Sequence, residues 1–320
     1  MPRHDVHMDR PEVAVPVRRV GVTGIRVPVH FIFFEKQPAI VVPTFDVYVD
    51  LPAYQKGIHI SRSYEATVEI ITQQVAKLHR LENLCADIAK ESLRRHDYAT
   101  EADVHAAADV VYERTTPETA SRTFESCTMK ARAIAHRRGS GDFKLRRWIG
   151  VTVSGITSCP CAQELLRADA ESELVETHKL QKDQAHKIVQ DLAIGSHMQR
   201  SYGTVMVELP DRYSIDAHQL IEVVDQSMSA ASYELLKRPD EMAVVRTALA
   251  NPRFVEDSVR FMIRNVVQAF PDLPDNMELQ FIQRNEECVH RHDVVAEQAL
   301  TMGQARREIE ENHNSAGKHD

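Results

Sequence analysis

Apolar and polar positions change period several times along the chain, and each change marks an element. Residues 17–35, VRRVGVTGIRVPVHFIFFE, and 39–52, AIVVPTFDVYVDLP, read as two strands broken near Lys36–Pro38. In the second, Val47, Val49 and Leu51 alternate with Asp46, Tyr48 and Asp50, the period of a half-buried strand. From Tyr64 to about Arg95 the period lengthens, and Val68, Ile71, Val75 and Leu78 form a helical stripe. Residues 107–114 and 122–135 are predicted as two more strands.

After the connector RRGSGD at 137–142 the pattern restarts. Ile149, Val151 and Val153 mark a strand, and residues 161–193, including AESELVE, a polar helical stretch. The strand GTVMVELP follows, then a helix over 215–236, IDAHQLIEVVDQSMSAASYELL, and another from Asn251 to Phe270. Strands are predicted at Glu278–Glu286 and His290–Gln298. Both halves approximate strand, strand, helices, strand, strand. The expected class is therefore α+β: two tandem modules of antiparallel sheet with helices on one face. The boundaries place a flexible N-terminus at 1–14 and the first module at 15–140. The second runs over 141–303 with a helical insertion at 162–194, and a polar tail occupies 304–320.

The 320 residues are 43 % hydrophobic and 27 % charged, enough for a proper core. A net charge of −8 argues against a nucleic-acid partner, so an anionic ligand must find a local cluster of cations. No apolar run reaches the roughly 20 residues that cross a bilayer, and MPRHDVHMDRPEV lacks a signal-peptide core. Five cysteines, an odd and sparse set, do not suggest a disulfide framework. A cytoplasmic protein with reduced thiols is expected.

Two of those cysteines flank one proline in TSCPCAQE. Cys159 and Cys161 are too close for a zinc knuckle, and no CxxC completes a four-sulfur site. A catalytic metal needs fewer protein ligands, and a mixed sulfur, nitrogen and oxygen set accepts zinc or iron(II). Small cysteines filling a turn explain the motif equally well. His197 in AIGSHMQRS, Glu241 in LLKRPDE and Glu256 in NPRFVED each have a bland explanation alone, as a solvated loop histidine or helix-starting acids. The loop LPAYQKGIHISRS offers Lys56, His59, Ser61 and Arg62 for phosphate oxygens, although GxxxxGK[ST] is absent. In NEECVHRHD, His290 and His292 would share a strand face beside Glu286 and Glu287, suiting support of a metal or a proton relay, or equally a solvated edge.

Taken together, VGVTGIRVPV, FDVYVDLP, KGIHISR, HDYAT, TSCPCAQE, SHMQRS, SMSAASYELLKRPDE, NPRFVED and NEECVHRH resemble the type IB and type IV GTP cyclohydrolases over nearly the whole chain. The long segment between Cys161 and His197 matches the archaeal type IV branch. The resemblance implies a tunnelling fold and a homotetramer, a dimer of dimers with sites at subunit interfaces. It implies a metal on Cys159, His197 and Glu241, most often iron(II), with zinc or manganese as substitutes. Glu256 would anchor guanine. Met198 departs from the family, which commonly has asparagine there.

The implied reaction is attack of metal-activated water on guanine C8, followed by ring opening and loss of formate. GTP becomes 7,8-dihydroneopterin 2′,3′-cyclic phosphate and diphosphate, the first step towards a methanopterin-type pterin. The type IB outcome, dihydroneopterin triphosphate for folate, is the alternative. Cys161 would assist Cys159, and His59, His290 or His292 would supply acid–base help. Lys56, Ser61, Arg62, Arg200 and Arg238 are candidates for the triphosphate. Two readings from other classes are nitrile reduction through a covalent cysteine, for which no nicotinamide motif is present, and a non-catalytic purine- or pterin-binding module.

Overall fold

A computed structural model describes residues 4–32, 38–73, 80–139 and 141–316. A 3-10 turn at Val6–Met8 precedes β1 (Val17–Arg26), β2 (Val29–Ile32), β3 (Pro38–Val41) and β4 (Thr44–Leu51). Helices α1 (Ile60–Gln73) and α2 (Leu81–Arg95) lead to β5 (Glu101–Thr115), β6 (Arg122–Arg138) and β7 (Asp142–Ser158). Then come α3 (Pro160–Glu176), α4 (Lys182–Asp191), β8 (Met198–Leu209), α5 (Ala217–Asp225) and β9 (Ala230–Ala231). The chain closes with α6 (Arg238–Ala250), α7 (Val255–Ala269), β10 (Glu278–Asn285), β11 (Val294–Thr301) and α8 (Met302–Ala316). The α+β class expected from the periodicity is the one observed.

The chain divides into two compact units. The first takes residues 1–110, 128–151 and 206–217. In it β1 pairs antiparallel with β4, and β4 with β5, while β2 and β3 form a separate two-stranded ribbon. Alternation in β4 is complete: Phe45, Val47, Val49 and Leu51 are buried and the residues between them are not. Those side chains share the core with Leu81, Leu84, Ile88 and Leu93 of α2. Gly139 and Gly141, at φ 61° and 94°, make the tight turn from β6 into β7, the left-handed backbone that glycine adopts without a Cβ clash. The single tryptophan, Trp148, is buried on β7 with the guanidinium groups of Arg132 and Arg146 over its ring at 5.3 and 4.6 Å. Each arginine is held in place by a carboxylate fork, Arg132 on Asp103 and Arg146 on Glu208.

The second unit takes residues 111–127, 152–205 and 218–320. Its strands follow the order β5, β6, β7, β8, β10, β11, with β9 on β7. Thr152 faces Thr204, and Thr157 faces Ser201, so β7 and β8 run antiparallel. β10 pairs with β11 from Glu278↔Thr301 to Asn285↔Val294. Leu220 and Ile221 of α5, Met262 of α7 and Phe281 of β10 are the largest of the buried side chains here, together with Leu273.

Four local expectations need correction. The helix expected from Tyr64 to Arg95 is two helices, α1 and α2; Val75 and Leu78 lie outside the described residues, as do residues 33–37 around the expected strand break. The helix over 215–236 ends at Asp225. Ser227 bonds back to Val223 O at 2.6 Å, and the small residues that follow pair Ala230 with Ile156 and Ala231 with Gly155. Ser232 then hydrogen-bonds Ser154, so the serine-rich run serves as a strand edge and not a helix face. His290 and His292 lie before β11 in a loop that the Arg284–Asp293 ion pair closes, so the predicted strand starts later, at Val294. The polar segment after 303 continues as α8 to Ala316.

His96 carries a testable consequence. It is fully buried in the first unit, with Nε2 3.1 Å from Ser63 Oγ and Nδ1 2.8 Å from Tyr98 Oη. Burial, reinforced by the Arg62 charge, pushes its pKa down to about 4, so the ring is neutral at pH 7. In the unfolded chain the ring takes its proton near pH 6.5, so stability should fall as pH drops from about 6.5 to about 4. The loss is on the order of 3 kcal/mol for this one group. Urea midpoints at pH 7.5 and 4.5 should differ less for His96→Gln than for the parent protein.

Candidate active site

β7 ends at Ser158, and Cys159 stands as N-cap of α3 with Pro160 in the first turn, where its missing N–H leaves no bond unmade. Cys159 N donates to His197 O at 3.1 Å, and Ser196 Oγ donates to Cys159 O at 2.7 Å. The CPC turn and the SHMQRS segment are therefore joined through their backbones. Gln163, buried in the same turn, donates from Nε2 to Leu249 O at 2.8 Å and to Ile194 O at 3.1 Å. Cys159 and His197 are both half-buried, and Cys161 is exposed on the first turn of α3. The sulfurs sit at the positive end of that helix, which favours anionic groups.

His197 has company that the sequence motifs did not announce. Its Nδ1 lies 3.5 Å from Cys288 Sγ and 4.0 Å from Glu287 Oε2. The Glu287 side chain is only 9 % exposed. Its Oε1 accepts from Gln199 Nε2 at 3.3 Å, while Oε2 is buried with no hydrogen-bond partner. Glu286 N donates to Arg200 O at 2.9 Å and fixes the loop against the start of β8. The NEECVHRHD loop thus reaches His197 through Glu287 and Cys288. His290 and His292 stack on each other at 5.4 Å, exposed.

A cavity of about 360 Å³ opens beside this segment, lined by Met198 and Arg200, by Gly155 and Ile156, and by Tyr233 and Leu236 among others. That volume falls within the range of small-molecule sites. Met198 and Tyr233 pack against Ala230, Val244 and Ala248, so Met198 serves as apolar wall.

Of the RPDE motif, Asp240 is the buried member. Its Oδ1 accepts from the amides of Glu118 and Thr119 at 2.9 and 2.8 Å, and its Oδ2 from Thr119 Oγ1 at 2.7 Å. Arg238 and Glu241 are exposed on the first turn of α6. Among the described residues, no group at ligand spacing unites Glu241 with Cys159 and His197. Glu256 is exposed on the first turn of α7, where Asp257 accepts the Phe254 amide at 3.1 Å. In the first unit, Lys56 and Ser61 are exposed, Arg62 donates to Arg95 O at 3.0 Å, and His59 Nε2 meets Asp5 Oδ2 at 2.7 Å.

Arg253, unmarked in the sequence reading although it lies in NPRFVED, fastens the turn below Cys159. Its amide donates to Ser158 O at 2.9 Å, and its Nη1 donates to Gln226 O at 2.7 Å and Met228 O at 3.0 Å. Its guanidinium lies 3.8 Å from the Phe261 ring centroid. Arg253→Met should remove both bonds and lower stability by about 1 kcal/mol in urea unfolding, the net worth of hydrogen bonds at exposed and half-buried sites.

Comparison with known proteins places the chain in a family. A family model described as type I GTP cyclohydrolase folE2 matches residues 4–296. The chain is 41 % identical to GTP cyclohydrolase MptA 2 of Methanocella arvoryzae, over 95 % of this chain and 98 % of that one. It is 39 % identical to GTP cyclohydrolase MptA of Methanosarcina mazei, over 95 % and 96 %. To the protein of the same name from Methanothermobacter thermautotrophicus it is 41 % identical, over 96 % of each. Among solved structures, the uricase of Arthrobacter globiformis matches with a TM-score of 0.49 at 8 % identity, covering 89 % of this chain and 93 % of that one. With the family model spanning residues 4–296 and about 40 % identity running nearly end to end, the chain belongs to the type I GTP cyclohydrolase folE2 family.

Proposed function

We propose that the chain is a GTP cyclohydrolase that opens the guanine imidazole ring at C8, releases formate, and yields 7,8-dihydroneopterin 2′,3′-cyclic phosphate and diphosphate. The observation that carries this reading is the near-complete, roughly 40 % identity to relatives named GTP cyclohydrolase MptA. Retention of the triphosphate, the type IB outcome, is the second reading, since the family description covers it.

Cys159, His197 and Glu241 would hold a divalent ion, iron(II) foremost, with zinc or manganese as substitutes; the mixed donor set suits a borderline metal. The surroundings of His197 support that role. Its Nδ1 edge faces Glu287 Oε2 and Cys288 Sγ, so Nε2 would be the nitrogen offered to the ion. An imidazole that turns its second nitrogen to a buried carboxylate is the usual way a metal-binding histidine is oriented. When bound, such an ion brings the pKa of a coordinated water to about 7 and polarises the atom it faces.

The chain's own groups then do the rest. Glu256 accepts N–H from guanine N1 and N2, a match adenine lacks. Arg200 in the cavity wall, with Arg238, Lys56, Ser61 and Arg62, binds phosphate oxygens. Cys161, exposed one residue into α3, takes and returns protons beside Cys159. His290 and His292 supply acid–base help at the imidazole nitrogens and the ribose. His59, whose Nε2 Asp5 occupies, is assigned instead to holding the loop from Lys56 to Arg62 in position. We assign the assembly as a homotetramer, a dimer of dimers, with residues of neighbouring subunits completing each site. No described helix is long and apolar enough to cross a membrane.

Anaerobic incubation with GTP and iron(II), followed by mass analysis, tests the reaction. Formate and the cyclic phosphate are expected; an intact triphosphate would transfer the chain to the type IB outcome, and no formate would refute both. Cys159→Ala, His197→Ala and Glu241→Ala should each lose metal and activity together. Glu256→Ala should keep its metal and bind GTP about 100-fold more weakly or worse, since two charge-assisted bonds at about 1.5–3 kcal/mol each are removed. Glu287→Gln should keep the fold and lower metal affinity by about 10–100-fold, read by chelator competition.

A further inference from the structure

A second group of metal-binding side chains lies in the first unit, away from the cysteine motif in sequence. Asp5 caps the turn Val6–Met8, with Oδ1 accepting the His7 amide at 3.1 Å. His7 Nδ1 stands 3.1 Å from the same Oδ1, and His59 Nε2 stands 2.7 Å from Oδ2. One ligand atom from each of the three residues lies within 4.8 Å of the others. The two rings face each other at 4.8 Å, tilted by 36°.

The backbone holds this arrangement before any ligand arrives. Gly57 N donates to His7 O at 3.2 Å, and Lys56 N donates to Asp9 O at 2.9 Å. A Cβ on Gly57 would lie 3.2 Å from His7 Cδ2, so the close approach of the turn to the KGIHIS loop depends on that glycine.

We infer that Asp5, His7 and His59 form a binding site for a divalent transition-metal ion, zinc above all, which clamps the N-terminal segment onto the Lys56–Arg62 loop. Two imidazoles and one carboxylate are a donor set for zinc, nickel or cobalt and a poor one for magnesium or calcium. With zinc–nitrogen and zinc–oxygen distances of about 2.0–2.2 Å, tetrahedral ligands stand about 3.3 Å apart. The 2.7 and 3.1 Å contacts, made to different oxygens of Asp5, must open by about 0.6 and 0.2 Å, and the ligand atoms, now within 4.8 Å of one another, must converge on a single ion. Asp5 and His7 are about half exposed, so solvent fills the remaining coordination positions. Such a site ties two chain segments together and needs nothing from the chemistry proposed at Cys159.

The test uses the full chain, stripped of metal and titrated with zinc, and separately with cobalt(II) as a coloured probe. In the Cys159→Ala/His197→Ala background, cobalt(II) should give a visible band free of thiolate charge transfer, and that band should vanish in His7→Gln and in Asp5→Asn. In the otherwise unaltered chain, each of those two exposed substitutions should remove one zinc equivalent. The affinity at that position should fall by more than the about 10–100-fold typical of a lost outer partner. Zinc should also slow hydrogen exchange at the amides of Lys56 and Gly57 in the parent protein but not in Asp5→Asn. Zinc uptake equal in the parent and both variants, with no change in exchange, would reduce the cluster to a hydrogen-bonded cap and overturn the inference.

Discussion

The candidate site depends on one antiparallel pairing, that of β7 with β8. It sets the last residue of one strand opposite the first of the other, and the bond from Cys159 N to His197 O is where the pairing passes into the functional turn. A cysteine and a histidine far apart in sequence are thereby brought together by sheet hydrogen bonds and not by their own side chains. A side-chain bond between Thr157 and Ser201 ties the same two strands, and Ser158 N donates to Ser229 Oγ on the run that leads into β9. Without that register, the donor groups would face different sides of the sheet, because a slip of one residue reverses every side chain.

Around this pairing, buried and half-buried charged side chains act as fasteners. Asp240 spends its carboxylate on the turn at 118–119, and Arg253 spends its guanidinium on the carbonyls of 226 and 228. Each sits beside a residue given a functional role, Glu241 after Asp240 and Glu256 shortly after Arg253. In RPDE the buried Asp240 fixes the backbone beside an exposed Glu241, and in NPRFVED the half-buried Arg253 does so three residues before an exposed Glu256.

Much of the fold was legible because one-sided burial writes itself into the sequence. β4 alternates without a fault, β6 and β10 fall close to where the apolar period predicted them, and β5 contains the predicted 107–114 but starts at Glu101. The helix expected over 215–236 fails for a physical reason: residues 229–232 are alanine and serine, and pairing with β7, a tertiary interaction, overrides a composition that suits a helix. The site was legible only through the ordered set of motifs. Nothing local in NEECVHRHD says that Glu287 and Cys288 turn towards His197, because that contact follows from the way the β10–β11 loop meets the start of β8. Asp5 and His7 carried no signal either, since a short polar turn near a chain end has no period to read.

The excursion through α3 and α4 leaves from Cys159 and returns at His197, so its two ends are already joined at the base by sheet and by Gln163. Of α3 only Gln163 is buried, and the two helices are linked by a hydrogen bond between His186 and Glu171. Closing such a loop becomes only slightly harder as it lengthens. Evolution could therefore lengthen, shorten or replace this arm, much as a cantilever is trimmed beyond its support, while the residues at its root keep their places.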